Sequence, residues 1–554
     1  MISRISVEDR NINSIRSANT QRQHLNNAPS FKGIGIWPVL LKGIQECEKN
    51  PMINVAVIDM FSAILPRTFV ESLTNWFAGF EALRRESSGL IVNCLIPSYI
   101  TMGVAMGLNK LIMPKGTNLA GCWADSSLID KAAKLYKESS SADKVKDSLA
   151  QILGNIEGYD GKKKVLFKDI LSGDDIEKYS QKLKDLTELK TEKPLEFSKE
   201  LKKVLKEISE EISSKTHVYE NIHIGSGKET VKASTIKSLL SDSVKFFRQH
   251  KISGLEMGDY AKKSKTLVKS KSLIGLAIVL PLAASMQYIN RWITEKTSGI
   301  KGAPIYEDYG AEQNSSLREK SKEGLLKQKF ISIGSMIGVS LLSMMKLPSM
   351  RMLEFKGLFP TMDQARIIST TTFASRMAVA DDKNELAEAT VRDIATFCGL
   401  YFLGDYAAKG TATILEKTTG VRLLNDTKPL KRNANAFQKF WHWMKDVTLK
   451  SSEEVVSKTA ERLKAKNLKP TAAQEKIIKD EIKRAVNLRS SCQIANLGVS
   501  LILLGLIVPI FTRKNTKKRH AEDLKLASQG STGTVEVNSS QKEGLISVEN
   551  ANVK

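Results

Sequence analysis

The sequence predicts an all-α, polytopic membrane protein with helical extramembrane domains. Long charge-free apolar segments recur along the chain, lysine-rich stretches with helical periodicity fill the gaps between them, and basic clusters crowd the segment ends. The average hides this pattern. With 42% hydrophobic residues and a mean hydropathy of −0.21, the 554-residue chain looks soluble until the apolar residues are seen to be gathered into runs.

Segments can be ranked by insertion energy, about −0.3 to −0.6 kcal/mol for a central Leu, Ile, Val or Phe and about +2.5 to +3.5 for a central Asp, Lys or Arg. Residues 490–512 hold twelve such apolar residues and no charge, which sums to about −4 to −7 kcal/mol over a length sufficient for a core of about 30 Å. GLIVNCLIPSYITMGVAMGLN (89–109) and SLIGLAIVLPLAASMQYIN (272–290) are charge-free as well. FISIGSMIGVSLLSMM (330–345) is shorter, extended by Leu347 and a snorkelling Lys346. These four are clear spans. Two more bring the expected total to six: about 52–70, interrupted by Asp59, Pro66 and Arg67, and about 394–408, where only eleven residues separate Asp393 from Asp405.

The chain then divides into an N-terminal tail expected to be disordered (1–30), an N-terminal membrane region (31–112), a lysine-rich helical domain (113–271), a two-span region (272–347), an amphipathic segment with the marginal span (348–408), a basic helical domain (409–489), the last span (490–512) and a tail expected to be basic and then disordered (513–554). In the first helical domain, Phe197, Leu201, Val204, Leu205, Ile208 and Ile212 fall on one helical face. Pro97, Pro281 and Pro509 lie inside spans, where the carbonyls they free need partners from neighbouring helices, so a packed bundle is expected. Two GxxxG pairs, Gly103/Gly107 and Gly334/Gly338, are candidates for close helix packing.

Lysines 262, 263, 265, 269 and 271 before the 272 span, and Arg513 to Arg519 after the last, favour six crossings with both termini cytoplasmic. The basic residues Arg318 to Lys329 contradict that alternation, since they would fall outside. A cell (cytoplasmic or inner) membrane is expected, an organellar inner membrane being the alternative.

Chemistry is scarce. HIGSGKET (223–230) imitates a phosphate loop, but Ile222 stands where the first glycine should be and Glu229 where Ser or Thr should follow the lysine. It reads as a turn. Cys47, Cys94, Cys122, Cys398 and Cys492 form no C-x-x-C, and the six histidines make no ligand pattern, so neither a metal nor a cofactor is expected.

Ionisable residues at membrane depth are the candidate site: Asp59, Arg67, Glu71 and Asp405, which would pair, face water or line a polar path. The mixed charges of EALRRESSG (81–89) and RMAVADDKNELAEATVRD (376–393) read as solvated faces or intramolecular ion pairs. Trp292, Phe437, Phe440, Trp441 and Trp443, beside basic residues, are candidate membrane-interface residues.

A net charge of +24 favours anionic partners: the bilayer and its anionic headgroups first, other membrane proteins as well, with no nucleic acid expected. The leading expectation is a non-enzymatic scaffold or interaction protein at an anionic membrane surface. A transporter or channel using the intramembrane polar residues is the alternative, and a membrane-embedded lipid enzyme the third.

Overall fold

The computed structural model describes residues 51–74, 76–160, 163–189, 194–216, 218, 220–224, 231–298, 324–344, 352–357, 359–381, 383–426, 430–464, 472–512 and a few residues between 514 and 522. The 1–30 tail, the connector 318–323 and most of the 513–554 tail lie outside these. The described chain is 83% helical, in fourteen helices.

Among the described residues, five helices are long and apolar enough to cross a membrane: Met52–Leu73, Gly79–Ile112, Met257–Thr297, Leu325–Met344 and Ile477–Thr512. The four clear spans and the 52–70 segment are among them. The 394–408 segment is not, which corrects the count from six to five. It lies in α11 (Lys383–Cys398, a π-helical turn Gly399–Leu403, then Gly404–Thr419), a rod carrying Asp393 and Asp405 that packs inside the bundle.

Helix α1 (Pro51–Asp59, π turn Met60–Ile64, Leu65–Thr74) turns tightly into α2 (Trp76–Leu90, π turn Ile91–Leu95, Ile96–Ile112). The two are antiparallel, and a Cβ on Gly79 would strike Ser72. Helix α8 (Met257–Ser298) runs antiparallel to α2: Gly275 lies against Thr101, Asn290 Nδ2 donates to Ser88 Oγ at 3.0 Å and Thr294 hydrogen-bonds Glu81. Helix α9 (Leu325–Met344) starts where α8 ends and runs back, its Lys329 Nζ donating to the Ala378 carbonyl at 2.7 Å.

The next helix lies in the 348–408 segment, expected to be amphipathic rather than a traverse of the bundle. Helix α10 (Met362–Val379) is too polar to score as a span, yet it traverses the middle of the bundle and buries Gln364, Ser369, Thr372, Ser375 and Arg376. It runs parallel to α8, since Ser375 Oγ donates to the Ala284 carbonyl while Arg291 pairs with Asp381, just past the end of α10, at 2.8 Å. Helix α11 returns antiparallel to α10, and α14 (Ala472–Ser500, π turn Leu501–Ile507, continuing to Thr512) runs antiparallel to α11, with Asn496 against Gly404 and Leu504 against Gly399.

Seven rods therefore run along the bundle: the five apolar helices, α10 and α11. Residue 51 lies at one end and residue 512 at the other, so the same-side placement of the termini does not follow from the rods. The extra traverse brings Lys327 and Lys329, which begin α9, to the end where Lys514, Lys518 and Arg519 leave α14, and it puts Lys262 to Lys271, at the start of α8, at the other end, so the basic clusters still do not share one side. In sealed vesicles, Lys327→Cys and Lys518→Cys should share one accessibility to an impermeant thiol reagent, and Lys203→Cys in the folded domain should show the other. Equal labelling of 203 and 518 would refute the seven-rod path.

Three of the four π turns end two residues before a proline: Pro66, Pro97 and Pro509. A proline offers no N–H to the carbonyl four residues back and its ring collides with it. Widening the preceding turn moves that carbonyl, on Ser62, Asn93 or Gly505, out of the way.

Between α2 and α8 sits a compact domain that is mixed α/β, not helical throughout. Helices α3 (Ser126–Glu138), α4 (Lys144–Gly154), α5 (Gly173–Glu188), α6 (Pro194–Thr216) and α7 (Ile236–Ser253) enclose a four-stranded antiparallel sheet of β1 (Ile156–Asp160), β2 (Lys163–Leu166), β3 (Glu220–Ile224) and β4 (Val231–Thr235), in the order β2-β1-β3-β4. Ile222 and Ile224 alternate with polar neighbours and enter a core shared with Leu201, Leu205, Ile208 and Ile212 of α6. HIGSGKET begins within β3, at His223 and Ile224, and the expected turn, 225–230, lies outside the described residues. It is followed by a second strand, whereas a phosphate loop needs a helix there.

This domain is tied to the α8 end of the bundle. Lys271, one of the basic residues counted as topological markers before the 272 span, is fully buried. Its Nζ donates to the Cys122 carbonyl at 2.6 Å and lies 4.2 Å from the Trp123 ring centre. Nearby Asp242 accepts the Trp123 N–H at 3.1 Å, and burial pushes its carboxyl up to about 6 against the pull of Lys245. Glu354 holds Ser126 N–H and Oγ at 2.9 and 2.7 Å, and Lys356 pairs with Asp125 at 3.0 Å, so the α9–α10 connector clamps α3.

A second small region at the same end pairs β5 (Leu424–Asp426) with β6 (Val447–Leu449), with α12 (Ala436–Asp446) between them and α13 (Ser452–Lys464) after. Arg489, one bracket of the apolar run, is buried here and donates to the Lys450 carbonyl at 2.7 Å.

Candidate functional site

Where α1, α2, α10 and α11 meet, buried charges gather near the end of the bundle away from the domain. Phe61, Leu65, Phe69 and Leu73 repeat every four residues on the exposed face of α1, which leaves Asp59 and Arg67 on its inner side. Arg67 Nη2 donates to Thr396 Oγ1 at 2.7 Å and its Nη1 lies 3.7 Å from Glu86. Glu86 also faces Arg376 at 3.8 Å, and Arg376 Nη1 reaches Asp393 Oδ1 at 2.7 Å. Arg392 adds a contact to Asp393 at 3.4 Å. Asp59 stands within electrostatic reach of Glu86, Arg67 and Arg376.

Next to this network, Arg84 donates to Thr294 at 3.0 Å and pairs with Glu81 at 3.3 Å. Arg291 pairs with Asp381 and Glu385. Trp292, on the following residue, is 60% exposed, as an interfacial ring would be. The network therefore lies level with one edge of the apolar zone.

Arg67 and Asp59 are thus brought together, and Asp405 is not with them. It meets Asn496 Nδ2 at 3.4 Å near Lys409, in the α11–α14 contact. Glu71 is half-buried one turn beyond Arg67. The larger part of the network, Glu86, Arg376, Arg392, Asp393 and Thr396, was not singled out from the sequence. Its residues sit in EALRRESSG and RMAVADDKNELAEATVRD, and of the two readings given for those stretches the structure selects intramolecular ion pairs.

Among the described residues, the GxxxG glycines make no close packing contact. A Cβ on Gly103, Gly107, Gly334 or Gly338 would meet no atom within 4 Å. Close packing falls instead on Gly275, Gly399, Gly404 and Gly505, the last of which lies where a Cβ would be 2.9 Å from the Ser62 carbonyl oxygen.

Helix α12 buries none of its residues, so it is not a core helix of its region. Phe437, Phe440 and Trp441 are exposed, while Trp443 stacks beside Tyr406 at 6.1 Å and donates Nε1–H to Thr413 at 3.1 Å. Lys409 Nζ holds the Met444 carbonyl at 3.1 Å. The helix is thereby fixed at the level where α11 leaves the bundle and the apolar part of α14 begins.

Among the described residues, no three His, Cys, Asp or Glu side chains converge as a metal site requires. Compared with known protein families, characterised proteins and solved structures, the chain matches none.

Proposed function

We propose that the chain is a multi-pass membrane protein that acts as a non-enzymatic scaffold, presenting its two folded regions to an anionic membrane surface at one end of the bundle. The observation that carries this reading is α12. An amphipathic helix with Phe437, Phe440 and Trp441 exposed, beside Lys439 and Lys445, is anchored where the apolar zone of α14 begins, the depth at which rings and cations both find partners. The apolar faces of α1, α8, α9 and α14, from Phe61 and Phe69 to Ile510 and Phe511, are large enough as exposed surface to call for lipid. Lys327, Lys329, Lys514, Lys518 and Arg519 at the opposite end favour the cytoplasmic side, or its organellar equivalent, for that end, while Lys262 to Lys269 give the domain end a basic cluster of its own.

Transport is the second reading, supported by the meeting of Asp59 and Arg67 beside the polar helix α10. Against it, Arg67 is engaged by Glu86 and Thr396, and Asp405 lies apart.

Reconstituted in phosphatidylglycerol-containing vesicles, the full chain should resist carbonate extraction and give no ion or solute flux above protein-free vesicles. A fluorophore on Trp441→Cys should be quenched by lipids labelled at headgroup depth. Flux that disappears on Asp59→Ala would overturn the scaffold reading in favour of transport, and extraction by carbonate would overturn both.

A further inference from the structure

We infer that the groove between α3 and the first three turns of α8 is a binding site for the phosphate of an anionic phospholipid in the adjacent leaflet. This inference rests on the membrane reading above and names the ligand and the residues. The groove, about 390 Å³ in volume, is lined by Lys134 and Lys137 from α3 and by Lys262, Lys265, Thr266 and Lys269 from α8. Its floor is made of Ala133, Ala261 and Gly258, small residues that let the two helices close up and leave the lysine stems as walls.

Five lysines face one lining carboxylate, Asp130, which Lys265 holds at 2.8 Å. Lys134 lies 3.9 Å from Glu138, and Glu256 and Asp259 flank the first turn of α8. Lys137, Lys262 and Lys269 are exposed and make no ion pair among the described residues. Lys262 and Lys269 stand seven residues, about 10 Å, apart on α8, so their charges give the groove a positive potential along its length. A phosphate accepts several charge-assisted hydrogen bonds at once, and Thr266 adds a hydroxyl donor.

The place of the groove selects a lipid over a free anion. Helix α8 becomes apolar and exposed at Leu273 and Ile274, four and five residues beyond Lys269. At about 1.5 Å per residue, Lys269 stands roughly 6 Å from that boundary, within the headgroup layer, while Gly258 stands over 20 Å out. The Lys265, Thr266 and Lys269 end is therefore the part that a headgroup phosphate reaches, and the Lys137 and Lys262 end adds field from farther out.

The test uses the full chain purified in a neutral detergent, titrated with phosphatidylglycerol, phosphatidylcholine or inorganic phosphate and read by native mass spectrometry. Phosphatidylglycerol should bind in preference to phosphatidylcholine. Lys269→Gln should weaken that binding by about tenfold, Lys137→Gln by less, and the distant Lys199→Gln with Lys203→Gln not at all. Equal loss from the distant pair, unchanged binding in Lys269→Gln, or inorganic phosphate binding as tightly as the lipid would each overturn the site. Carbonate extraction of the same protein from vesicles separates this failure from failure of the membrane reading itself.

Discussion

Asp393→Ala should lower the stability of the bundle by about 3–5 kcal/mol, because it strips a buried arginine of its closest partner. Asp393 is fully buried and accepts from Arg376 at 2.7 Å, with Arg392 at 3.4 Å. Its loss leaves Arg376 only the longer contact to Glu86 at 3.8 Å, which Arg67 already shares. The attraction within a buried pair roughly offsets the cost of taking both charges out of water, so the penalty comes mainly from the orphaned partner. The double change Arg376→Met with Asp393→Leu removes both charges, keeps most of the volume and should recover the larger part of the loss. Thermal unfolding in detergent of the two variants beside the parent measures this. A double variant as unstable as the single one would mean that the ion pair itself, rather than the avoidance of an unpaired charge, holds α10 to α11.

The apolar rods were legible because insertion energy sums over some twenty residues of one chemistry, and 490–512 or 272–290 need no context. Helix α10 was not, because RIISTTTFASRMAV has no apolar surplus. It can traverse the bundle only because α8, α9 and α11 surround it and Asp393 and Asn93 take up its Arg376 and Thr372. With that hidden traverse counted, Lys327 and Lys329 fall at the same end of the bundle as Lys514 and Lys518. The strands of the α/β domain were missed for a different reason. With four or five residues each, ENIHI and VKAST show too few alternations to stand out between long helices whose 3.6-residue stripes are plain. The candidate site was half visible. Asp59 and Arg67 stood out as charges within apolar sequence, whereas Glu86, Arg376 and Asp393 lie in stretches so rich in both signs that exposure and pairing look alike until the helices are brought together.

Glycine 505 gives the sharpest contrast between motif and packing. Gly505→Leu should destabilise the chain by about 3 kcal/mol, near the upper end of what overpacking costs, because the new side chain meets the backbone oxygen of Ser62 and the ring of Pro66. Neither can yield easily: Ser62 sits in the π turn that Pro66 imposes on α1, and Gly505 sits in the one before Pro509. Two proline-widened turns are stacked on each other, and the missing side chain is what lets them touch. Gly338→Leu, in a GxxxG pair, should change stability by no more than about 0.5 kcal/mol, since its Cβ meets nothing and leucine suits a helix better than glycine. Unfolding midpoints of the two variants in one detergent decide the matter. If Gly338→Leu proved the costlier change, the GxxxG face of α9 would be packing against a second molecule, and the spacing of glycines would have outweighed the prolines as the guide to where these helices meet.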